Sequence, residues 1–468
     1  MEENKSTTKK LPKVYWISIF YEFIERGAYY GAMSILSVYL VASVANGGLG
    51  CSKMEAGILK ATIQPIIYAL PIICGAIADR FGYRKTLNVA FLLLSIGYIF
   101  ASQAKTYPLF FTALIILSLG AGAFKPVING TIARVTDSET SSIGFGIYYW
   151  SINLGAFLFP LIVVPLMRNS FGLNYVFLVS GIAILLMLIP NHFLYKEPPK
   201  PETSKEISQV FVDAVSVLKD YKFLILLFLY SGFWVIYFQM FDTILWYITE
   251  YVKMKPIENT INGFISLFGF NGGFQFNPEY VTVINAGIII LLQLVVSNIT
   301  KKTKALPTMI TGISFGVIAM CLVGFSAYSA QIHATNDLSI TTATLLGDEK
   351  YATNSSVIFH AWALVLGIIL FTMGEMTAHP KFISYIGLIA PEEKVATYMG
   401  YSFLYGVIGS SIGCLIGPIA YNHFITKLDN PAGMWFLFAG IGLFTVISLT
   451  IYGKLALKNT KEEKEKEV

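Results

Sequence analysis

The run Glu22-Phe-Ile-Glu25-Arg26-Gly-Ala-Tyr29-Tyr30 sets three ionisable side chains and two tyrosines inside an apolar stretch long enough to cross a bilayer. A charge near the bilayer centre costs on the order of 3 kcal/mol on insertion scales, so it persists where it faces protein or an aqueous cavity and has a partner. Glu22 and Arg26 stand four residues apart and share a helix face, with Glu25, Tyr29 and Tyr30 on or beside it. Such a stripe can hold a proton on a carboxylate whose arginine partner moves, or can offer the guanidinium fork to an incoming carboxylate. Lys125 and Glu375 are further charges within apolar stretches, the first a compact cation and the second an acid with no cation at i±4.

Membrane-spanning helices must position these groups. The 468 residues are 55% hydrophobic and only 13% charged, with a mean hydropathy of +0.63, too apolar for an ordinary soluble enzyme. Apolar stretches of the ~20 residues needed for a span recur near 14–43, 54–78, 84–104, 108–132, 143–168 and 174–195. A second set follows near 221–251, 279–300, 306–328, 357–379, 397–424 and 432–455. This predicts an all-α membrane protein of twelve transmembrane helices in two six-helix bundles, 14–195 and 221–455, the plan of a secondary transporter. A proline-rich, charged stretch, Lys196-Glu-Pro-Pro-Lys-Pro-Glu-Thr-Ser-Lys205, opens a linker over 196–220, and the helical spacing of apolar residues after it suggests a short amphipathic helix or a solvated connector. The connections 252–278 and 329–356 are long and read as poorly ordered or gate-covering. Residues 1–13 and 456–468 are charged tails, the latter solvated and dispensable.

Lys5, Lys9, Lys10 and Lys13 open the chain, and most of the 33 Lys and Arg fall on the same side as the two tails. The positive-inside bias therefore puts both termini in the cytoplasm of a multi-pass cell-membrane protein. The net charge of +5 is largely this topology signal, and no basic-aromatic nucleic-acid module accompanies it. Four cysteines and five histidines lack the spacing of a disulfide framework or zinc site, and no nucleophile stands beside a base, so an enzyme is not indicated.

Gly75-Ala-Ile-Ala-Asp79-Arg80-Phe-Gly82-Tyr-Arg84-Lys85, between spans two and three, resembles the loop signature of the major facilitator superfamily, in which Asp79, Arg80 and Arg84 would latch the cytoplasmic side. Four further stretches look like the proton-coupled oligopeptide transporter (POT) family. They are the opening Glu22-x-x-Glu25-Arg26-x-x-Tyr29-Tyr30, then Gly122-Ala-Phe124-Lys125-Pro126, Tyr148-Tyr149-Trp-Ser-Ile152-Asn153-Leu-Gly155, and Gly374-Glu375-x-x-x-His379-Pro380 with Leu388-x-Ala390-Pro391 and Met399-Gly400. The resemblance implies a major facilitator fold and proton-coupled import of di- and tripeptides, with protons as coupling ion, no other cofactor, and a monomer in the lipid bilayer. The chemistry agrees, because a peptide zwitterion needs cations at one end, Arg26 and Lys125, and a carboxylate at the other, Glu375. Tyr29, Tyr30 and Tyr68 would wall the site, and Asn153 and Asn285 would bond the peptide; Asn285 rests on the likeness of Thr282-Val-Ile-Asn285-Ala to the family's span-eight region. Glu22 and Glu25, with Arg26 and Lys125, would carry the proton.

The pattern also breaks. The family's arginine after the tyrosine pair is Met33 here, and its span-seven acid before Gln239 is Phe238, so both halves of a gate ion pair are missing and the outer gate is expected to close through apolar packing. Asp242, one turn beyond Phe238, is placed to replace the lost acid as a partner for Lys125 or as a proton site. The family's ExxER phenylalanine is Gly27, and its tryptophan after Met399-Gly400 is Ser402, followed by Phe403; these losses of aromatic surface predict a roomier substrate pocket. Two other readings stay open, a same-fold carrier of nitrate, another organic anion or an amino-acid-like compound, and a membrane sensor that uses the fold without transport.

Overall fold

A segment apolar on all sides can satisfy its backbone polar groups in lipid only within itself, which selects the helix. The structure, a computed structural model, describes residues 11–137, 140–198, 212, 217–269, 273–336, 340–391 and 394–466. In the first half, α1 (Lys13–Val41), α2 (Lys53–Phe81), α3 (Tyr83–Gln103) and α4 (Tyr107–Val135) are followed by α5, from Ser141–Leu158 through a π turn at Phe159–Val163 to Val164–Ser170, and α6, Asn174–Phe193. In the second half, α7 runs over Tyr221–Tyr251 and a short α8 over Lys255–Ser266. Then come α9 (Tyr280–Thr300), α10 (Ala305–Asn336), α11 (Ser355–Ile389), α12 (Thr397–Lys427) and α13 (Pro431–Lys466). Among the described residues, eleven helices are long and apolar enough to cross a membrane. The twelfth span is α1, 29 residues long, which carries Glu22, Glu25 and Arg26.

The spans stand where the apolar stretches predict them, with informative differences. α11 continues ten residues beyond the expected end at 379, through Pro380 to Ile389; neighbouring helices make an internal proline tolerable in a bundle. The connection 252–278 is not a bare loop: α8 occupies its first half, and Asn262 exchanges two hydrogen bonds with the Phe274 backbone (2.8 and 3.0 Å). Within 329–356, α10 extends to Asn336 and a further helical turn, Thr342–Gly347, is capped by the Asp429 carboxylate, which accepts from the Thr342 and Ala343 amides. The suggested amphipathic helix of the linker lies outside the described residues. α13 remains helical through the mixed Lys/Glu tail to Lys466.

The chain forms two compact units, one of Met1–Ala32 with Ala69–Val212 and one of Met33–Tyr68 with Asp213–Val468. In the first, α3 packs between α4 and α6. Gly97 and Gly120 set the α3–α4 spacing, since a Cβ at either would stand 2.6 to 2.7 Å from a backbone nitrogen of the other helix. In the second, α10 packs on α11 and α13, and α7 on α12 and α13. The second unit also takes in the end of α1 and most of α2, so its boundary differs from the linker boundary expected from the sequence; the side chains responsible belong to the site.

Candidate functional site

In the first unit, α1 supplies a buried charge cluster. Arg26 grips Glu25 with both arms of its fork, Nε to Oε2 at 2.5 Å and Nη2 to Oε1 at 2.8 Å, and its Nε is 3.6 Å from Glu22 Oε1. The second Glu22 oxygen, Oε2, is buried without a hydrogen-bond partner. Lys125 of α4 lies within electrostatic reach of Glu22, Glu25 and Arg26, and Tyr148 of α5 within reach of the same three. The Arg26 guanidinium also lies over the Tyr29 ring, 4.8 Å from its centroid, and Tyr29 meets Tyr30 edge to face at 5.4 Å. Two cations and two acids thus share one buried set, which a proton or an incoming carboxylate can rebalance. Asn153 gives its amide to Tyr149 O, 2.9 Å away on its own helix, and keeps its carbonyl oxygen for other partners.

Gly27 does not leave a hole. A Cβ there would stand 2.3 Å from the Phe159 ring, and Gly155 brings α5 against the same stretch of α1. Pro160, which has no amide hydrogen, sits inside the π turn that Phe159 opens. The aromatic surface missing at 27 is therefore supplied from α5.

The expected latch also lies in the first unit and is larger than the sequence showed. Asp79 accepts from Arg134 Nη2 at 2.5 Å and from the Tyr83 hydroxyl at 2.9 Å, while Arg134 stacks over the Tyr83 ring. Arg84 donates to Asn191 O (2.9 Å) and His192 O at the end of α6, and Glu197 accepts from the Tyr83 and Arg84 amides. Gly82 turns the chain there with φ of 101°, a conformation that favours glycine. Arg80 lies over the Phe81 ring. Arg134, Asn191 and Glu197 escape a reading by motif because their partners in the loop are 55 or more residues away.

In the second unit, Asn285 of α9 donates to Glu375 Oε2 and to Thr372 Oγ1, both at 3.0 Å. Glu375 pairs with no Lys or Arg among the described residues. Tyr230 of α7 and Tyr405 of α12 lie within electrostatic reach of it, and Tyr405 stands 5.2 Å from Tyr230 and 4.9 Å from Trp234 of α7. Tyr68 meets Trp234 at 6.2 Å and covers Gly406. Ser402 is fully buried with its hydroxyl on Met399 O, at a break in α12, and has no surface to offer a solute. Phe403 lies at the same break. Tyr405, three residues on, sets an aromatic ring against Tyr230 and Trp234, and the Gly27 and Ser402 positions open no surface, the first filled by Phe159 and the second buried.

Asp242, expected as a replacement for the missing span-seven acid, has a partner within its own unit. It interrupts α7, with φ of −132° and ψ of −74°, and pairs with Lys60 of α2. Ser37 of α1 donates to Asp242 Oδ1 at 2.6 Å and receives from Lys60 Nζ at 3.1 Å; Cys414 of α12 approaches Oδ2 at 3.6 Å. The break frees Phe241 O, which accepts from Lys60 and Ser37. Trp246 Nε1 adds a bond to Ser37 O at 2.8 Å, and Lys53 pairs with Glu250 at 2.6 Å beneath the Tyr421 ring. These bonds bind 33–68 into the second unit. The contacts of 33–68 with α7 include two ion pairs where apolar packing alone was expected; Lys60, a lone lysine in an apolar span, is the signal of them in the sequence.

The family model described as Major Facilitator Superfamily matches residues 16–413. The chain belongs to that superfamily and is a multi-span membrane protein of its fold. Among curated relatives, Peptide transporter YePEPT of Yersinia enterocolitica subsp. palearctica is 24% identical over 92% of this chain and 91% of its own length. The Di-/tripeptide transporter of Lactococcus lactis subsp. lactis is 31% identical over 39% of each chain, and the Uncharacterized transporter YclF of Bacillus subtilis 32% over 38% of this chain and 37% of its own. The chain thus spans under two-fifths of the length of these last two. A crystal structure of a peptide transporter POT in complex with sulfate superposes with a TM-score of 0.74, covering 96% of this chain and 95% of the other at 18% identity.

Two outcomes follow from the geometry. Gly27→Phe should lower stability by roughly 1–3 kcal/mol through overpacking, and adding Phe159→Ala should restore most of it; purely additive losses on thermal melting in detergent would contradict the exchange of rings. Asp242→Asn strands Lys60 and should cost about 3–5 kcal/mol, whereas Asp242→Leu with Lys60→Met should cost much less; a double variant as unstable as the sum of the singles would show that the two do not act as a pair.

Proposed function

We propose that the protein is a proton-coupled symporter that carries di- and tripeptides across the cell membrane by alternating access. The observation that carries this reading is the placement of buried charge: among the described residues Glu375 holds an amide and pairs with no Lys or Arg, while Arg26 and Lys125 stand together with Glu22 and Glu25 in the other unit. A peptide zwitterion brings an ammonium for Glu375 and a carboxylate for Arg26 and Lys125. Recognition through the two termini favours short peptides and leaves side chains unselected. A solute that is only an anion would leave Glu375 without a cation, which disfavours nitrate. The relatives named as peptide transporters support peptides as the solute class.

Coupling follows from the grip of Arg26 on Glu25. While Glu25 is ionised, the fork is occupied; a proton on Glu25 releases it to the peptide carboxylate, so proton and peptide favour each other's binding. A proton on Glu22, whose Oε2 lacks a hydrogen-bond partner, lowers the negative charge beside that fork. In the orientation with both termini cytoplasmic, the Lys60–Asp242 and Lys53–Glu250 pairs form the outer closure, and opening outward requires 33–68 to leave α7 and α12.

Labelled dialanine should accumulate in proteoliposomes under an inward proton gradient and cease to do so with an uncoupler. Glu375→Gln, which removes a charged hydrogen-bond acceptor, should weaken uptake roughly ten- to hundredfold. Glu22→Gln or Glu25→Gln should lose accumulation but keep counterflow. Uncoupler-insensitive uptake would refute coupling, and folded protein that neither binds nor moves peptides would refute the solute class.

A further inference from the structure

Position 379 carries serine in the POT-like motif and histidine in this chain. His379 stands one turn after Glu375 on α11, which places the two Cβ atoms about 6 Å apart on one helix face. Its imidazole is partly accessible. Nδ1 is 3.5 Å from the Tyr230 hydroxyl, and the ring meets Trp234 at 5.6 Å and 76° and Tyr405 at 5.8 Å and 70°. Among the described contacts, Tyr230 from α7 and Tyr405 from α12 face it, and both tyrosines also lie within electrostatic reach of Glu375, one turn back on its own helix. A serine there could only donate or accept a hydrogen bond. Histidine adds a ring that is neutral or positively charged according to its protonation.

We propose that His379 is a specificity residue that makes the binding of a solute amine at Glu375 depend on pH. The neutral imidazole accepts a hydrogen bond from the ammonium and so shares it with the carboxylate. The imidazolium instead gives Glu375 a cation from its own helix and repels the ammonium. Amine binding and protonation of His379 are then antagonistic, and by linkage each weakens the other equally. The inference rests on the reading that Glu375 receives the amine. In transport, acid outside drives uptake through the Glu22–Glu25 cluster while weakening capture of the amine, so His379 shapes an acid limb.

The test is equilibrium binding without a gradient, on the full chain in nanodiscs, read by intrinsic tryptophan fluorescence between pH 5.5 and 8. Dialanine is compared with N-propionylalanine, which lacks the amine, in the wild type, His379→Ser, His379→Gln and Glu375→Gln. From pH 7.5 to 5.5 the wild-type Kd for dialanine should rise at least threefold more than in either His379 variant, and that for N-propionylalanine should show no such excess. Equal pH slopes in the wild type and a folded His379 variant would overturn the proposal. Failure of the amine reading looks different: Glu375→Gln would then leave the wild-type preference for dialanine over N-propionylalanine unchanged.

Discussion

A charge within a span needs a partner in reach, because the bilayer supplies no water to solvate it. Arg26, Lys60 and Glu375 each meet that demand within their own unit, in three different ways. Arg26 is held by Glu25 and Glu22, and Lys125 lies beside them. Lys60 has Asp242, Ser37 and a carbonyl released by the break in α7. Glu375 has the neutral amide of Asn285, with the Tyr230 and Tyr405 rings near it. The third arrangement differs from the other two in having no Lys or Arg partner among the described residues.

That difference links the fold to the proposed activity. Groups already neutralised can exchange partners at small net cost, whereas removing one partner outright strands a buried charge. In the proposed coupling, Arg26 responds to a proton through its bidentate grip on Glu25, since protonation removes the stronger competitor for its fork. The pairs at Lys60 and Lys53 hold 33–68 against α7 and α12 by bonds that can be broken and remade. Buried apolar surface fixes the helices around them, and the few polar contacts are the movable parts.

Much of the fold was legible because spans declare themselves by length and apolarity. The twelve stretches lie close to the observed helices, and α11 overran its expected end because a proline inside a bundle does not stop a helix as it does in water. The charge cluster was legible for a similar reason: Glu22 and Arg26 share a face by their spacing alone. What spacing could not give were partners far apart in the chain. Lys60 meets Asp242 across 182 residues and Arg134 meets Asp79 across 55. Losses read from single positions also misled. Gly27 and Ser402 look like missing aromatic volume until Phe159 is seen to fill the first and the second is seen to be buried, because volume belongs to a site and not to a residue.

Binding of peptide and proton as a linked pair is tested most directly without an imposed proton gradient. Proteoliposomes loaded with a trapped pH dye are diluted into external dialanine at equal pH inside and out, with the membrane potential clamped at zero. Symport predicts that the lumen acidifies on peptide addition, and that Glu22→Gln and Glu25→Gln diminish the proton signal per peptide moved. Peptide entry with no accompanying proton movement in the wild type would contradict it.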